Sequence, residues 1–307
     1  MIDPRSYTLE HVEEMRANTK VDRQILERSI YALGLLEALV RVGAPITFKG
    51  GSSLMLLLDH PMRLSTDIDV VVPPGTDIVG CLEDASAIFP FESMEEQVRR
   101  GRNGIEKRHF KFYYASPVTR RRFHIFLDVV FEEKHYARIE GRPIANDLLI
   151  VDDEPVMVEM PTADCILGDK LTAFAPHATG IPFGMDKELE VIKQMYDIST
   201  LSRTIGSFGD VRSTFEKTAA IEISYRGLEI GSREVLEDAI ESAACVAGRG
   251  RYNKDEYPLF LDGIRSITNH IFGERFSAER AVGHQFESGT GYQILAGQSF
   301  VSGLYSF

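Results

Sequence analysis

The chain is poor in the features that would send it out of the cytoplasm or build a zinc site. It has three cysteines in 307 residues, Cys81, Cys165 and Cys245, odd in number and never in Cys-x-x-Cys spacing. They read as reduced thiols, which argues against a disulfide framework and against a zinc site. No apolar run approaches the roughly 18 residues that span a bilayer. The opening Met1-Ile2-Asp3-Pro4-Arg5 lacks the basic-then-apolar layout of a signal peptide. The expectation is a cytoplasmic protein with no membrane partner. Positive charge is also scarce overall, with a net charge of −12, so a general nucleic-acid binder is disfavoured. No internal repeat or low-complexity tract interrupts an otherwise ordinary globular composition, 44% hydrophobic and 26% charged.

The scarce basic residues are concentrated. Between Arg99 and His124 stand Arg99, Arg100, Arg102, Lys107, Arg108, Lys111, Arg120, Arg121 and Arg122 against a single acid, Glu106. Two readings are open for this band. It is either the footprint of a phosphate-rich partner held in one place or a solvated hairpin. Phe110, Phe112, Tyr113 and Tyr114 interleave with the cations and suit either stacking or strand core.

Hydrophobic periodicity divides the chain. A helix is expected over Val21–Val40, then a strand Ile46–Lys49, a helix from about Ser52 to Leu58, and a strand Asp67–Val72 stopped by Pro73-Pro74-Gly75. A helix around Ile78–Ile88 and strands His109–Ala115 and Phe123–Phe131 follow. After Asp164 helical spacing dominates, in Asp164–Ala175, Asp186–Leu201, Glu234–Val246 and Leu259–Phe272. The expected organisation is an α/β nucleotide-binding half over residues 1–160 and a helical half over 161–307. Gly283–Phe307 carries almost no charge and suits either packing back on the body or a partner contact.

The chemistry-bearing residues cluster in the first half. Lys49-Gly50-Gly51-Ser52-Ser53-Leu54 joins an expected strand to an expected helix, offering backbone N–H groups and hydroxyls to phosphate oxygens. Fifteen residues after Ser52, Asp67 and Asp69 sit at i and i+2 of a strand, so their carboxylates share one face. Two such carboxylates repel unless a cation lies between them. Mg²⁺, with Mn²⁺ as an alternative, takes one or two carboxylates and completes its shell with phosphate oxygens. Asp128, alone in an apolar strand, is either a third metal ligand or the partner of an arginine such as Arg122.

Lys49-Gly50-Gly51-Ser52-Ser53-Leu54 with Arg63-x-Ser65-x-Asp67-x-Asp69 resembles the AbiEii/AbiGii toxin family, polymerase-β-like nucleotidyltransferases that include the MenT toxins of mycobacteria. Two later motifs of that family are matched by Lys170-Leu171-Thr172-Ala173 and Lys193-Gln194-Met195-Tyr196-Asp197, so the resemblance covers roughly residues 46–201. Gly168-Asp169 before Lys170 is a small variation on the family pattern. The resemblance implies an α+β fold, with a polymerase-β-like core of mixed sheet and flanking helices plus a C-terminal helical domain. It implies transfer of a nucleotide from an NTP to an RNA acceptor such as a tRNA 3′ end, and a cognate antitoxin as partner. It makes Asp67, Asp69 and Asp128 metal ligands, and Asp67, Asp69, Asp128, Lys170 and Asp197 catalytic. Lys49, Gly50, Gly51, Ser52, Ser53, Arg63 and Ser65 would bind nucleotide, Arg63 and Ser65 by bracing the loop or touching phosphate. Asp197 would orient Lys170 or the acceptor, or would pair with Lys193. Transfer to a small molecule or a protein side chain is the second reading, and a non-catalytic nucleotide-binding member the third.

Overall fold

The computed structural model describes residues 1–272 except 18, 20, 59, 98–105 and 153. Arg99, Arg100 and Arg102 of the basic band, and the uncharged segment 283–307, therefore lie outside the described residues. The described chain forms two compact units. The first comprises Met1–Lys134, Ile139–Thr162 and residues 269–272. The second comprises His135–Arg138 and Ala163–Thr268.

The first unit is built on a five-stranded mixed sheet in the order β1-β2-β5-β4-β3. Its strands are β1 (Thr47–Lys49), β2 (Asp67–Val72), β3 (Phe91–Gln97), β4 (Lys107–Ala115) and β5 (Arg122–Phe131). Only β2 and β5 run parallel, and the other neighbours are antiparallel. Strands β4 and β5 alternate strictly. Phe110, Phe112, Tyr114, Ile125, Leu127 and Val129 are buried on one face, while the residues between them stay partly exposed. The long α2 (Arg23–Arg41), preceded by α1 (Leu9–Arg16), packs on this unit through Leu26, Ile30, Leu33 and Leu36, none of them exposed. Its first turn is capped by Asp22, whose carboxylate accepts from the Gln24 and Ile25 amides. Loss of such a cap costs about 1 kcal/mol. Glu27 of α2 is almost wholly buried and accepts from the Ser116 hydroxyl at 2.7 Å, which fixes the β4–β5 turn to the helix.

The helix expected from about Ser52 to Leu58 is shorter. Only Leu54–Leu57 is helical (α3), after turn residues at Ser52 and Ser53. Leu58 is already extended, at φ −98° and ψ 144°, and Pro61 disfavours helical backbone at His60. A single turn aligns few peptide dipoles, so any anion binding here rests on the turn's own amides. The unit is completed by α4 (Val79–Ser86) and a small antiparallel pair, β6 (Ile139–Pro143) with β7 (Met157–Pro161).

The second unit is helical: α5 (Ala163–Ala173), α6 (Glu188–Leu201), α7 (Phe208–Arg226), α8 (Ser232–Ala247) and α9 (Tyr257–Ile267). Helix α7, which periodicity did not reveal, lies against α5 so closely that a Cβ on Gly168 would fall within 2.9 Å of the Phe215 backbone nitrogen. No helix among the described residues is long and apolar enough to cross a membrane.

Candidate active site

The register of the central strands brings the expected carboxylates together. Asp69 of β2 faces Asp128 of β5 across a parallel pair, Lys49 of β1 faces Asp69 from the other side, and His109 of β4 faces Asp128. In-register neighbours stand about 5 Å apart and share a face, so these four side chains form one row across the sheet. Asp67, two residues before Asp69, occupies the next row beside Phe126.

Polar partners lie close to Asp128, Asp67 and Lys49. His109 Nδ1 lies 2.6 Å from Asp128 Oδ1. Asp128 is thus met by an imidazole, while Arg122, its expected salt-bridge alternative, turns to the Ser93 hydroxyl and to Glu92. Asp67 Oδ1 is 3.5 Å from Arg28 Nη2, a contribution from α2. The Lys49 ammonium is 3.6 Å from Glu132, just beyond β5. Among the described residues no three carboxylate, imidazole or thiolate groups already converge as a metal cage.

The Gly50-Gly51-Ser52-Ser53 turn seats directly against the carboxylates. Gly50 has φ +82°, a left-handed backbone that favours glycine, and a Cβ there would overlap the Asp69 carboxylate. A Cβ on Gly51 would lie 2.7 Å from the Arg63 guanidinium and 3.4 Å from the Ser65 hydroxyl. Arg63 is nearly buried and also donates to the Leu64 carbonyl, so Arg63 and Ser65 brace the turn from below. Both serine hydroxyls are engaged internally. Ser52 donates to the Asp67 carbonyl at 2.5 Å and Ser53 to the Gly50 carbonyl at 2.7 Å. Ser52 thereby ties the turn to β2, and Ser53 closes the turn on itself.

In the second unit Lys170 and Asp197 meet. Lys170 Nζ lies 3.0 Å from Asp197 Oδ2 and donates to Gln194 Oε1 at 2.8 Å, with Asp197 wholly buried. Lys193 pairs with Glu190 at 2.7 Å. Of the three roles open to Asp197, orienting Lys170 is the one this geometry matches.

The basic band is not a single surface. Arg108 is held bidentately by Glu96 at 2.7 Å, and strand parity puts it on the face opposite Lys107 and Lys111. Arg120 and Arg121 lie in the β4–β5 turn, Arg120 with φ 55°. Counting charge along the chain missed the acids that β3 brings alongside, Glu92, Glu95 and Glu96. His124 on the carboxylate face has its pKa lowered by partial burial and by the nearby Lys111 and Arg28 cations. Arg28 and His109 escaped sequence reasoning. Only the register of β4 on β5 and the passage of α2 past β2 identify them.

Comparison with known proteins identifies a family and a fold. The family model described as nucleotidyl transferase AbiEii toxin, type IV TA system, matches residues 34–278. The crystal structure of JHP933 from Helicobacter pylori superposes with TM-score 0.52 at 11% identity, covering 92% of this chain and 99% of that one. A second H. pylori crystal structure, described provisionally as a nucleotidyltransferase, gives TM-score 0.51 at 12% identity, covering 88% and 95%. At such identities the likeness is one of fold. No curated protein is significantly similar to the chain.

Proposed function

The chain belongs to the AbiEii nucleotidyltransferase toxin family of type IV toxin–antitoxin systems, and from that premise we propose that it moves a nucleotide from an NTP to an RNA acceptor hydroxyl, a tRNA 3′ end, with Mg²⁺ as cofactor. The observation that carries the metal reading is the facing pair Asp69 and Asp128 with Asp67 alongside. This donor set is all hard oxygen and short of a complete cage, which fits an ion that arrives with phosphate oxygens of its own. Asp67, Asp69 and Asp128 would hold the cation, which supplies charge neutralisation at the transferring phosphoryl group.

This chain's own residues do the rest. The Gly50–Gly51 turn, pressed against Asp69, presents backbone N–H groups to the β- and γ-phosphates. Arg63, Ser65, Ser52 and Ser53 keep that turn in shape. Asp128 orients the acceptor hydroxyl and His109 fixes which Asp128 oxygen is turned away from β4. The family pattern assigns neutralisation of charge on the leaving pyrophosphate to Lys170, whose ammonium Asp197 and Gln194 hold in place within the second unit. A toxin of this family implies a cognate antitoxin, which we propose as the protein partner.

Incubation of the protein with each α-labelled NTP, Mg²⁺ and total RNA tests the acceptor. Label in an RNA band of tRNA size is the expected result. Label confined to low-mass products or to protein would overturn the RNA reading in favour of small-molecule or side-chain modification.

A further inference from the structure

The carboxylate face of the sheet continues beyond the carboxylates. Toward the start of β5, the row after Asp69–Asp128–His109 is Asp67–Phe126–Lys111, then His124–Tyr113, then Arg122–Ala115. Each step is two residues, about 7 Å along the strand. Buried alternation has already assigned Ile125, Leu127, Phe110 and Phe112 to the opposite face, so Phe126, His124 and Tyr113 stand on the carboxylate side and are only partly covered. The rings are in contact with one another. The His124 and Phe126 centroids are 4.6 Å apart and those of Tyr113 and His124 5.7 Å. Cations lie over them, with Lys111 Nζ 5.8 Å from the Phe126 centroid and Arg122 Cζ 4.0 Å from that of Tyr113. Besides Asp67, two acids of β3 border the strip among the described residues and both are engaged: Glu95 accepts from the Tyr113 hydroxyl at 2.7 Å, and Glu92 lies 3.9 Å from Arg122.

Strand order gives the strip a direction. The Gly50–Gly51 turn flanks Asp69 on the β1 side, whereas Phe126, Lys111, His124 and Tyr113 lie on β5 and β4, the other flank of the metal-facing row. A triphosphate seated at the turn leaves this flank for the acceptor.

We propose that Phe126, His124 and Tyr113, with Lys111 and Arg122, form a stacking strip for the single-stranded 3′ end of an RNA acceptor. The bases behind the attacking nucleotide lie on the rings and their phosphates meet the cations. This rests on the RNA reading above and deepens it. Alternating π-faces and cations suit a single-stranded nucleic acid, because every base has a face to stack and every linkage a charge to neutralise. A small-molecule acceptor would need one pocket and would leave a strip of three rings without a role.

The test uses the full chain and a short oligoribonucleotide with 2-aminopurine one position in from a free 3′-hydroxyl. Binding is read by anisotropy, stacking by quenching of the base, and transfer by α-labelled NTP. Phe126→Leu and His124→Leu keep an apolar group on a partly exposed face, and their thermal midpoints establish that they fold. Each should weaken oligonucleotide binding about tenfold and reduce quenching. The loss in transfer should appear more in KM for RNA than in kcat, with an unchanged salt slope. Lys111→Gln should instead flatten the salt slope by about one phosphate contact. If both ring variants bind and quench as wild type does while wild type labels RNA, the strip is structural and this proposal alone fails. If wild type neither binds the oligonucleotide nor labels any RNA, the RNA reading fails and takes the strip with it.

Discussion

Removing either member of the Lys170–Asp197 pair should destabilise the second unit far more than an exposed ion pair would. The ammonium and carboxylate are 3.0 Å apart with side-chain exposures of 7% and 0%. Deleting one partner of such a pair leaves a charge in a site without water, at a cost of about 3–5 kcal/mol. Replacing both with apolar groups of similar size removes that penalty, so Lys170→Met/Asp197→Leu should unfold within about 1–2 kcal/mol of wild type. The two single variants and the double variant, unfolded in urea and followed by the helical far-ultraviolet signal, give a double-mutant cycle whose coupling should be about 3 kcal/mol or more. Single variants that each lose less than about 1 kcal/mol, with additive effects, would refute the buried-pair reasoning. The double variant also separates folding from chemistry. If Lys170 stabilises charge on the leaving pyrophosphate, the double variant should be well folded yet transfer nucleotide about 10²–10³-fold more slowly. A folded double variant with full activity would confine Lys170 to structure.

Gly50→Ala should be inactive, because its Cβ would displace the Asp69 carboxylate and its φ of +82° is strained for any other residue; normal transfer by this variant would show that the turn does not position Asp69. Asp69→Asn should unfold at the same or a higher temperature than wild type without divalent cations, since Asp69 faces Asp128 across β2 and β5; a drop of several degrees would mean that Asp69 is structural. His177 takes Asp238 on Nδ1 and Glu256 on Nε2, both at 2.6 Å. Burial opposes its charge but the two carboxylates outweigh that, and its pKa is raised above 6.5. The stabilisation from this staple should be complete below about pH 6.5 and fade as pH rises through the higher folded value. His177→Gln should abolish that pH dependence, and an unchanged profile in the variant would assign it to other groups.

What could be read in the chain without its structure was local. The run Asp67–Val72 declared itself because β-branched residues end abruptly at Pro73, and its bounds match β2. The helices carrying Lys170 and Asp197 were legible through their apolar spacing. Strand β3 was not, because Phe91–Gln97 is an edge strand rich in Glu whose exposed face lacks alternation. Helix α7 hid because the residues it buries include Thr214, Thr218 and Ala219, small or polar groups with little hydrophobic signal. Register explains the remaining gaps. That Asp128 meets His109, 19 residues away, depends on how β4 and β5 align, and no spacing rule encodes that alignment. The same register showed that the basic band divides between two faces and is partly neutralised by β3.

The carboxylate group of Asp67, Asp69 and Asp128 is most directly tested by single-turnover transfer from an α-labelled NTP to RNA, comparing wild type with Asp69→Asn and Asp128→Asn, each verified as folded. Wild type should transfer the α-label, release pyrophosphate in equal amount and require Mg²⁺ or Mn²⁺, and both variants should be at least about 10³-fold slower. Transfer that persists in either folded variant, or proceeds in excess chelator, would contradict a metal-dependent site at these carboxylates.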